Sequence, residues 1–443
     1  MATEGARSDN PALDALLVEA KALHPNLIDL TLGRLERLLG KLGNPHHHLP
    51  PVFHVSGTNG KGSTAAFLRA CLEAAGYRVH VFTSPHLVRF NERIRLAGRL
   101  ITDSELIELL TDVISVNNGE QITFFELTTA AAFTAFSRTP ADACVIEVGL
   151  GGTWDATNVV PTAAVCGIAQ LGLDHQQFLG HSILDIAREK AGIAKKGVPL
   201  VTSRYPQTVA AAIGEVAGPK GARIIARGID WDVGIYQEQL HYRDSKAKLT
   251  LGMPRLPGAH QIDNVGLAAA MLRHQTALAV PDAALRAGPG WAEWPARLQR
   301  LESGPFVQHL PQGSELWLDG GHNPSAARVI VDAFRAQDIA ATPFHLVLGM
   351  LQSKDAAAFL KAFAGRVTAV HTVPIPEHDC VPPETLAKFA SDVGLTATHA
   401  ASVDEALRRI GHAADRKAPP VVLIAGSLYL AGDVLKINGP LPG

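Results

Sequence analysis

The chain has 443 residues, more than a single hydrophobic core usually accommodates (about 250–300), so two or three domains are expected. Hydrophobic residues make up 47% and charged residues 19%, which suits packed cores and excludes a disordered chain. Lys plus Arg (40) nearly balance Asp plus Glu (42), for a net charge of −2; this excludes nucleic-acid binding driven by bulk charge but leaves room for a local anion site.

The first residues, 1–14, lack a basic stretch followed by an apolar one, so no secretory signal is read there. The triplet His46, His47 and His48 sits between Asn44-Pro45 and Leu49-Pro50-Pro51 and reads as a loop. Adjacent histidines do not share a face, so no metal site is assigned to them. Residues 51–56 read as a buried strand, then a Gly-rich turn, then a helix over 63–76. Further strands are expected at 78–84, 142–149, 163–169 and 198–203, with a helix at 183–194. The stretch 280–293, with Pro281, Gly288, Pro289 and Gly290, reads as a linker or hinge. Beyond it, strands at 315–319, 344–349, 367–373 and 420–425 alternate with helices at 325–337, 355–364 and 383–393. The expected fold is therefore α/β: a P-loop-type, mostly parallel sheet domain over 1–285, a linker over 286–295, and a smaller Rossmann-like domain over 296–443. A hinge between two such domains is a common place for a ligand cleft.

Apolar runs such as 420–430 are too short for a bilayer, which needs about 20 helical residues. Cys71, Cys144, Cys166 and Cys380 are far apart and form no CxxC, which suits reduced thiols rather than a disulfide or zinc scaffold. The expectation is a cytoplasmic enzyme. Lys246 and Lys248, near Arg243, read as a solvated strand or hairpin edge.

The strongest chemical signal is Gly57-Thr58-Asn59-Gly60-Lys61-Gly62-Ser63, placed after a strand and opening a helix. Glycines let backbone N–H groups turn towards a phosphate chain, and the helix N-terminus adds partial positive charge. Lys61 reaches terminal phosphates and the Ser63 hydroxyl is placed for Mg²⁺. The general P-loop has four residues between its first Gly and the Gly-Lys pair; here Thr58 and Asn59 alone intervene before Gly60.

The segment 54–64, HVSGTNGKGST, resembles the signature of the folylpolyglutamate synthase and dihydrofolate synthase family, within the Mur ligase superfamily. Further matches follow in order: TSPHLVRFNERIR (83–95), FELTT (125–129), IEVGLGGTWDATN (146–158), LDHQQFLG (173–180), REKAGI (188–193), DGGHNP (319–324) and GSLYL (426–430). The resemblance covers about residues 28–435.

It implies an ATP-dependent amide ligase adding L-glutamate to dihydropteroate, to reduced folates, or to both, through an acyl phosphate, with Mg²⁺ as cofactor. Thr58, Asn59, Gly60, Lys61, Gly62, Ser63, Asn264, Arg297 and Asp319 match nucleotide-contacting positions. Ser63, Ser84, Glu147 and His175 match metal ligands, His175 being the unusual nitrogen donor for a hard cation. The catalytic positions are Lys61, Lys190, at a position that can be carbamylated in relatives, and His322, placed to orient the γ-phosphate or the incoming glutamate. Ile28, Asp29, Leu30, Thr123, Phe124, Phe125, Glu126 and Trp154 match the pterin site, where the aromatic rings can pack on a flat heterocycle. Thr153 and Trp154 stand where the family more often has Arg and an aliphatic residue, Ala296 replaces a usual Gly, and Gly321 a usual Ala. Catalytic groups on separate domains imply closure before chemistry. The expected partners are small molecules, with no nucleic acid or membrane, and relatives are commonly monomeric. Two alternatives share the phosphate loop: a peptidoglycan-type Mur ligase, against which FELTT and DGGHNP argue, and a non-catalytic nucleotide-binding regulator, which needs neither Glu147, His175, Asp319 nor His322.

Overall fold

The structure is a computed structural model and describes residues 8–26, 28–336 and 342–442. It divides into two compact units, one running up to Arg255 and including Gln261–Glu293, the other from Trp294 onward with Leu256–His260.

The first unit is built on eight strands: β1 (Val52–Ser56), β2 (Val79–Phe82), β3 (Ile94–Leu96), β4 (Arg99–Leu100), β5 (Ala143–Glu147), β6 (Val165–Ile168), β7 (Pro199–Thr202) and β8 (Arg223–Ala226). Their order is β4-β3-β2-β5-β1-β6-β7-β8. All pairings from β2 to β8 are parallel, while β2–β3 and β3–β4 are antiparallel. Every residue of β1, β2, β5 and β6 is buried, which is why these strands read as continuous apolar runs rather than alternating ones. The register pairs Val55 with Glu147, Ser56 with Ile168 and Phe82 with Ile146, so the loops after β1, β2, β5 and β6 leave from one edge of the sheet. In parallel sheets that carboxyl edge is where ligands bind.

Two helices, Asp103–Asn117 and Phe124–Arg138, were not among the expected elements. Each opens on a Thr-x-x-Glu capping box, Thr102/Glu105 and Thr123/Glu126, a sequence signal that marks a helix start. Three strands, β9 (Trp231–Tyr236), β10 (Gln239–Asp244) and β11 (Lys248–Leu251), form an antiparallel meander, so Arg243 and Lys248 do face each other on a hairpin. The stretch expected as a linker is helical from Asp282 to Trp291. Pro281 opens it, and Gly288 lets its backbone meet the Lys61–Ala74 helix so closely that a Cβ there would lie 2.4 Å from Cys71 Sγ. Tertiary packing thus overrides the Gly and Pro content. The thiols of Cys71, Cys144 and Cys166 are free and buried.

The second unit holds β12 (Gln299–Leu301), β13 (Glu315–Leu318), β14 (Phe344–Leu348), β15 (Ala369–Thr372), β16 (Ala397–His399) and β17 (Val421–Ala425), in the order β12-β13-β17-β14-β15-β16. Only β12 is antiparallel. The last strand inserts between β13 and β14, so the loop after β13, residues 319–323, opens at the switch in strand order. Among the described residues no helix is long and apolar enough to cross a membrane.

Candidate active site

The loop after β1 is shaped by two glycines in the left-handed region, Gly57 (φ 148°) and Gly60 (φ 83°). A Cβ on Gly57 would lie 2.9 Å from the Ala169 Cβ, and one on Gly60 2.4 Å from Asn264 Oδ1. Asn264 therefore packs directly on the turn, although it lies some two hundred residues on. The N–H groups of Thr58 and Asn59 both donate to Gln170 O (2.9 and 3.0 Å), and Thr58 Oγ1 lies 3.0 Å from Gly172 O. These residues brace the loop. Gly60, at the N-cap of the Lys61–Ala74 helix, makes no side-chain cap, so the first-turn N–H groups of Lys61, Gly62 and Ser63 form the anion-facing end of a 14-residue helix. Lys61 Nζ lies 3.4 Å from Thr58 O, and Ser63 is buried at 2% exposure.

Glu147 ends β5 and is 5% exposed. A carboxylate so placed is costly without cationic or hydrogen-bonding partners. The N–H of Ser84, in the loop after β2, approaches its Oε2 at 3.4 Å, so the expected ligands Ser84 and Glu147 meet. His175 is exposed, adopts the left-handed region (φ 51°) and has its Nε2 4.0 Å from Asp174 Oδ1. Among the described residues no three His, Cys, Asp or Glu side chains group as a metal cluster. One carboxylate with hydroxyls is still the donor chemistry that suits Mg²⁺, which keeps waters and shares phosphate oxygens rather than taking an all-protein cage.

Lys190, in the last turn of the Ile183–Ala191 helix, is buried and its Nζ donates to Gly57 O at 2.9 Å. Burial pushes its pKa down to about 7, and the charge of Lys61 adds to this; Asp174, Asp155 and Glu189 oppose it. The 149–153 loop wraps this helix end: Thr153 N donates to Glu189 O (3.0 Å), and a Cβ on Gly152 would lie 2.7 Å from the same oxygen. Asp155, absent from the expected set, is buried and accepts from Leu150 N and Thr157 N (2.8 and 2.9 Å) as well as from Thr157 Oγ1. It fixes the loop that follows Glu147. Its signal in the sequence is a carboxylate two residues before a Thr in a short turn.

Of the residues expected to touch a pterin, Phe125 lies against the loop that follows β5: a Cβ on Gly149 would lie 2.5 Å from its Cζ. Trp154 is 51% exposed, with its N–H 3.4 Å from Glu189 Oε1. Ile28 is 38% exposed. Phe124 faces inward. It is 2% exposed, edge-on to Phe90 (5.8 Å) and beneath the Arg93 guanidinium (5.9 Å), because the helix it opens turns it into the core. Glu126 is also buried, and its carboxylate is directed to Thr123 N, Thr123 Oγ1 and Arg34. The carboxylate of Asp29 meets Arg34 as well.

In the second unit, Arg297 stands between Ala296 (φ 54°) and Leu298 (φ 45°), two non-glycine residues in the left-handed region. Backbone strain of this kind persists where the surroundings enforce it. Asp319 enforces it here: its Oδ2 accepts from Leu298 N (2.8 Å) and its Oδ1 from Gly321 N (2.6 Å). Gly320 N donates to Ala296 O (3.0 Å), and a Cβ on Gly320 would sit 3.0 Å from Arg297 Nη1. His322 Nδ1 lies 2.9 Å from Gly320 O. A carbonyl only accepts, so Nδ1 carries the hydrogen in this contact, which orients the ring. Arg297, Asp319 and His322 are thus brought together at the end of β13.

Residues 55–272 match the Mur ligase middle domain, and residues 306–437 match the dihydrofolate synthetase C-terminal domain. The dihydrofolate synthase/folylpolyglutamate synthase of Escherichia coli (strain K12) is 33% identical over 420 residues, covering 94% of this chain and 93% of its own. The solved structure of E. coli FolC in complex with DHPP and ADP is similar with a TM-score of 0.86 at 31% identity, over 97% of this chain and 98% of that one. A bifunctional folylpolyglutamate synthase/dihydrofolate synthase with Mn, AMPPNP and L-glutamate bound is similar with a TM-score of 0.83 at 32% identity, over 97% and 98% of the two chains. The chain belongs to the folylpolyglutamate synthase/dihydrofolate synthase family of Mur-type ligases.

Proposed function

We propose that the protein is an ATP-dependent ligase that joins the amino group of L-glutamate to the carboxylate of dihydropteroate and, as a second activity, to reduced folates. The observation that carries this reading is the convergence at the carboxyl edge of β1 and β5. An uncapped helix N-terminus with Lys61, the buried carboxylate of Glu147 beside Ser84, and the buried amine of Lys190 on Gly57 O all meet that edge. A regulatory nucleotide switch needs only the first of these.

A carboxylate is a poor acyl donor because oxide is a poor leaving group. Transfer of the γ-phosphoryl group gives an acyl phosphate; the amine attacks its carbonyl carbon and inorganic phosphate leaves. Lys61 and the N–H groups of Gly62 and Ser63 hold the crowded phosphate oxygens before and during transfer. Mg²⁺, when held by Ser63, Ser84, Glu147 and His175, supplies further charge neutralisation. Thr58, Asn59, Gly60 and Asn264 support the nucleotide site by fixing the loop. Arg297 offers its planar guanidinium to phosphate, with Asp319 holding the turn that presents it. His322, its ring oriented by the Nδ1 contact to Gly320 O, serves the γ-phosphate or the incoming amine, which must lose a proton. Ile28, Leu30, Thr123, Phe124, Phe125 and Trp154 receive the pterin end, with Asp29 and Glu126 beside them. A Lys190 carbamate supports the metal: burial lowers the amine's pKa to about 7, which raises the share of the neutral form that adds CO₂ with loss of a proton. In this reading the first unit is the ATPase and pterin unit, the second the glutamate-side unit, and the protein a cytoplasmic monomer.

The deciding experiment incubates purified protein with ATP, Mg²⁺, labelled glutamate and either dihydropteroate or tetrahydrofolate, and resolves products by mass. Phosphate release that requires both the pterin acid and glutamate is expected, with a product one glutamyl unit heavier. Turnover indifferent to glutamate, or driven by UDP-muramyl peptides instead, overturns the reading.

A further inference from the structure

One arginine outside every motif quoted above joins two distant segments of the pterin site. Arg34, second residue of the Gly33–Lys41 helix, is 92 residues before Glu126. Its Nε and Nη2 donate to the two carboxylate oxygens of Glu126, both at 3.1 Å, in a bidentate fork. Its Nη1 donates to Asp29 Oδ2 and its Nη2 to Asp29 O, both at 2.8 Å. The guanidinium side chain is 18% exposed and that of Glu126 4%, whereas that of Asp29 is 46% exposed. The same Glu126 carboxylate caps the Phe124–Arg138 helix by accepting from Thr123 N (2.8 Å) and Thr123 Oγ1 (2.9 Å).

The arrangement has a direction. Glu126 is rigid, because it is buried and built into a helix start. Asp29 is half-exposed and lies in the 28–30 stretch, outside any regular element. A planar guanidinium with fixed donor directions transmits the position of the first to the second. His24 adds a weaker hold, with its Nε2 3.6 Å from Asp29 Oδ2. We propose that Arg34 is a positioning residue that sets the pterin site's shape by fixing the Ile28–Leu30 segment to the Thr123–Glu126 turn. It therefore governs affinity for the pterin acid rather than the phosphoryl-transfer step. The inference rests on the assignment of these two segments to the pterin. It assigns Glu126 and Asp29 to the frame of the site, their carboxylates being turned to Arg34 and, for Glu126, to Thr123.

The test compares Arg34→Lys, Asp29→Ala and the double variant with the unaltered protein, measuring KM for dihydropteroate, KM for ATP, kcat and the melting temperature. Lys keeps the charge but not the fork. Arg34→Lys is expected to raise KM for dihydropteroate about tenfold, within the range of coupling energies between contacting groups, with kcat falling less than threefold and KM for ATP steady. Asp29→Ala is expected to move the same constant in the same direction, and the double variant to be no worse than Arg34→Lys alone by more than about twofold. A loss confined to kcat, equal shifts in both KM values, or fully additive effects overturn the proposal. Should Arg34→Lys fail to fold, the surface variant Asp29→Ala decides on the same split. If the unaltered protein releases no phosphate with dihydropteroate and glutamate, the ligase reading itself fails and this inference with it. If it turns over normally while Asp29→Ala leaves the KM for dihydropteroate in place, the inference alone fails.

Discussion

The phosphate loop and the two segments proposed to hold the pterin lie in the same unit but are built on opposite principles. Gly57–Ser63 is local: seven consecutive residues whose function comes from backbone N–H groups, two positive-φ glycines and the end of one helix. The proposed pterin segments are non-local: the 28–30 stretch and the Thr123–Glu126 turn are joined through Arg34, whose ion pair with Glu126 spans 92 residues. A site made from backbone needs a particular residue only where a side chain would obstruct. A site made from side chains needs a partner for every charge it buries.

The largest test of this contrast is Lys61→Ala. Removing the single cationic side chain of the loop is expected to lower kcat by about 10²–10³, as loss of a transition-state charge partner does, with KM for dihydropteroate nearly unchanged. A small effect would mean that the helix N-terminus alone supports transfer.

Lys190→Ala comes next. Loss of most activity is expected, with partial recovery on adding short carboxylates, and intact mass should show a carbamate on the unaltered protein. Carbamate formation needs the neutral amine. Because the Lys190 pKa is lowered to about 7, CO₂-dependent activation should rise as pH increases through 7 and fall below it. Full activity of Lys190→Ala without additives would remove Lys190 from the mechanism.

Trp154→Ala should be smaller. The indole is 51% exposed, so stability should change by less than about 0.5 kcal/mol, while KM for dihydropteroate rises several-fold and the quench of tryptophan fluorescence on binding diminishes. An unchanged quench and KM would place the ring outside the site.

The smallest effect lies in the second unit, far from either segment in sequence. His345 Nδ1 and His371 Nε2 are 3.1 Å apart on neighbouring strands, and His371 Nδ1 meets Thr398 Oγ1 at 3.2 Å. Burial lowers the His371 pKa to about 4, with the His345 and Arg409 charges adding; His345 is lowered by burial as well. The folded state thus binds these protons less readily than the unfolded chain. The stabilisation is complete above pH 6.5 and is lost as pH falls from 6.5 to about 4. Thermal melts over that window should fall more steeply for the unaltered protein than for His371→Phe, by about 2–4 °C for each kcal/mol of difference. Parallel curves would show that the pair carries no linked protons.

Legibility followed the same line between local and non-local. The strand–turn–helix around Lys61 was readable because a buried strand, a glycine turn and an amphipathic helix each have their own period. FF at a helix start gives no sign of which ring is the more buried; the Phe90 and Arg93 contacts decide that it is Phe124. The helix within the 280–293 stretch was not legible because Gly288 serves close packing against Cys71 rather than chain flexibility. Arg34 was overlooked because a surface-looking arginine has no spacing signature of its own, and Asp155 because its Asp-x-Thr signal marks a turn without showing that the carboxylate is buried.

By itself, then, the sequence determined two α/β regions, the phosphate loop and the ordered motifs that identify the family, since each rests on residues adjacent in the chain or on backbone periodicity. The tertiary structure alone decided which side chains meet: Asn264 on Gly60, Lys190 on Gly57 O, Asp319 on Leu298 N, and Arg34 between Asp29 and Glu126. Hydrogen bonds and ion pairs act over about 3 Å, and only the folded sheet brings residues so far apart in sequence within that reach.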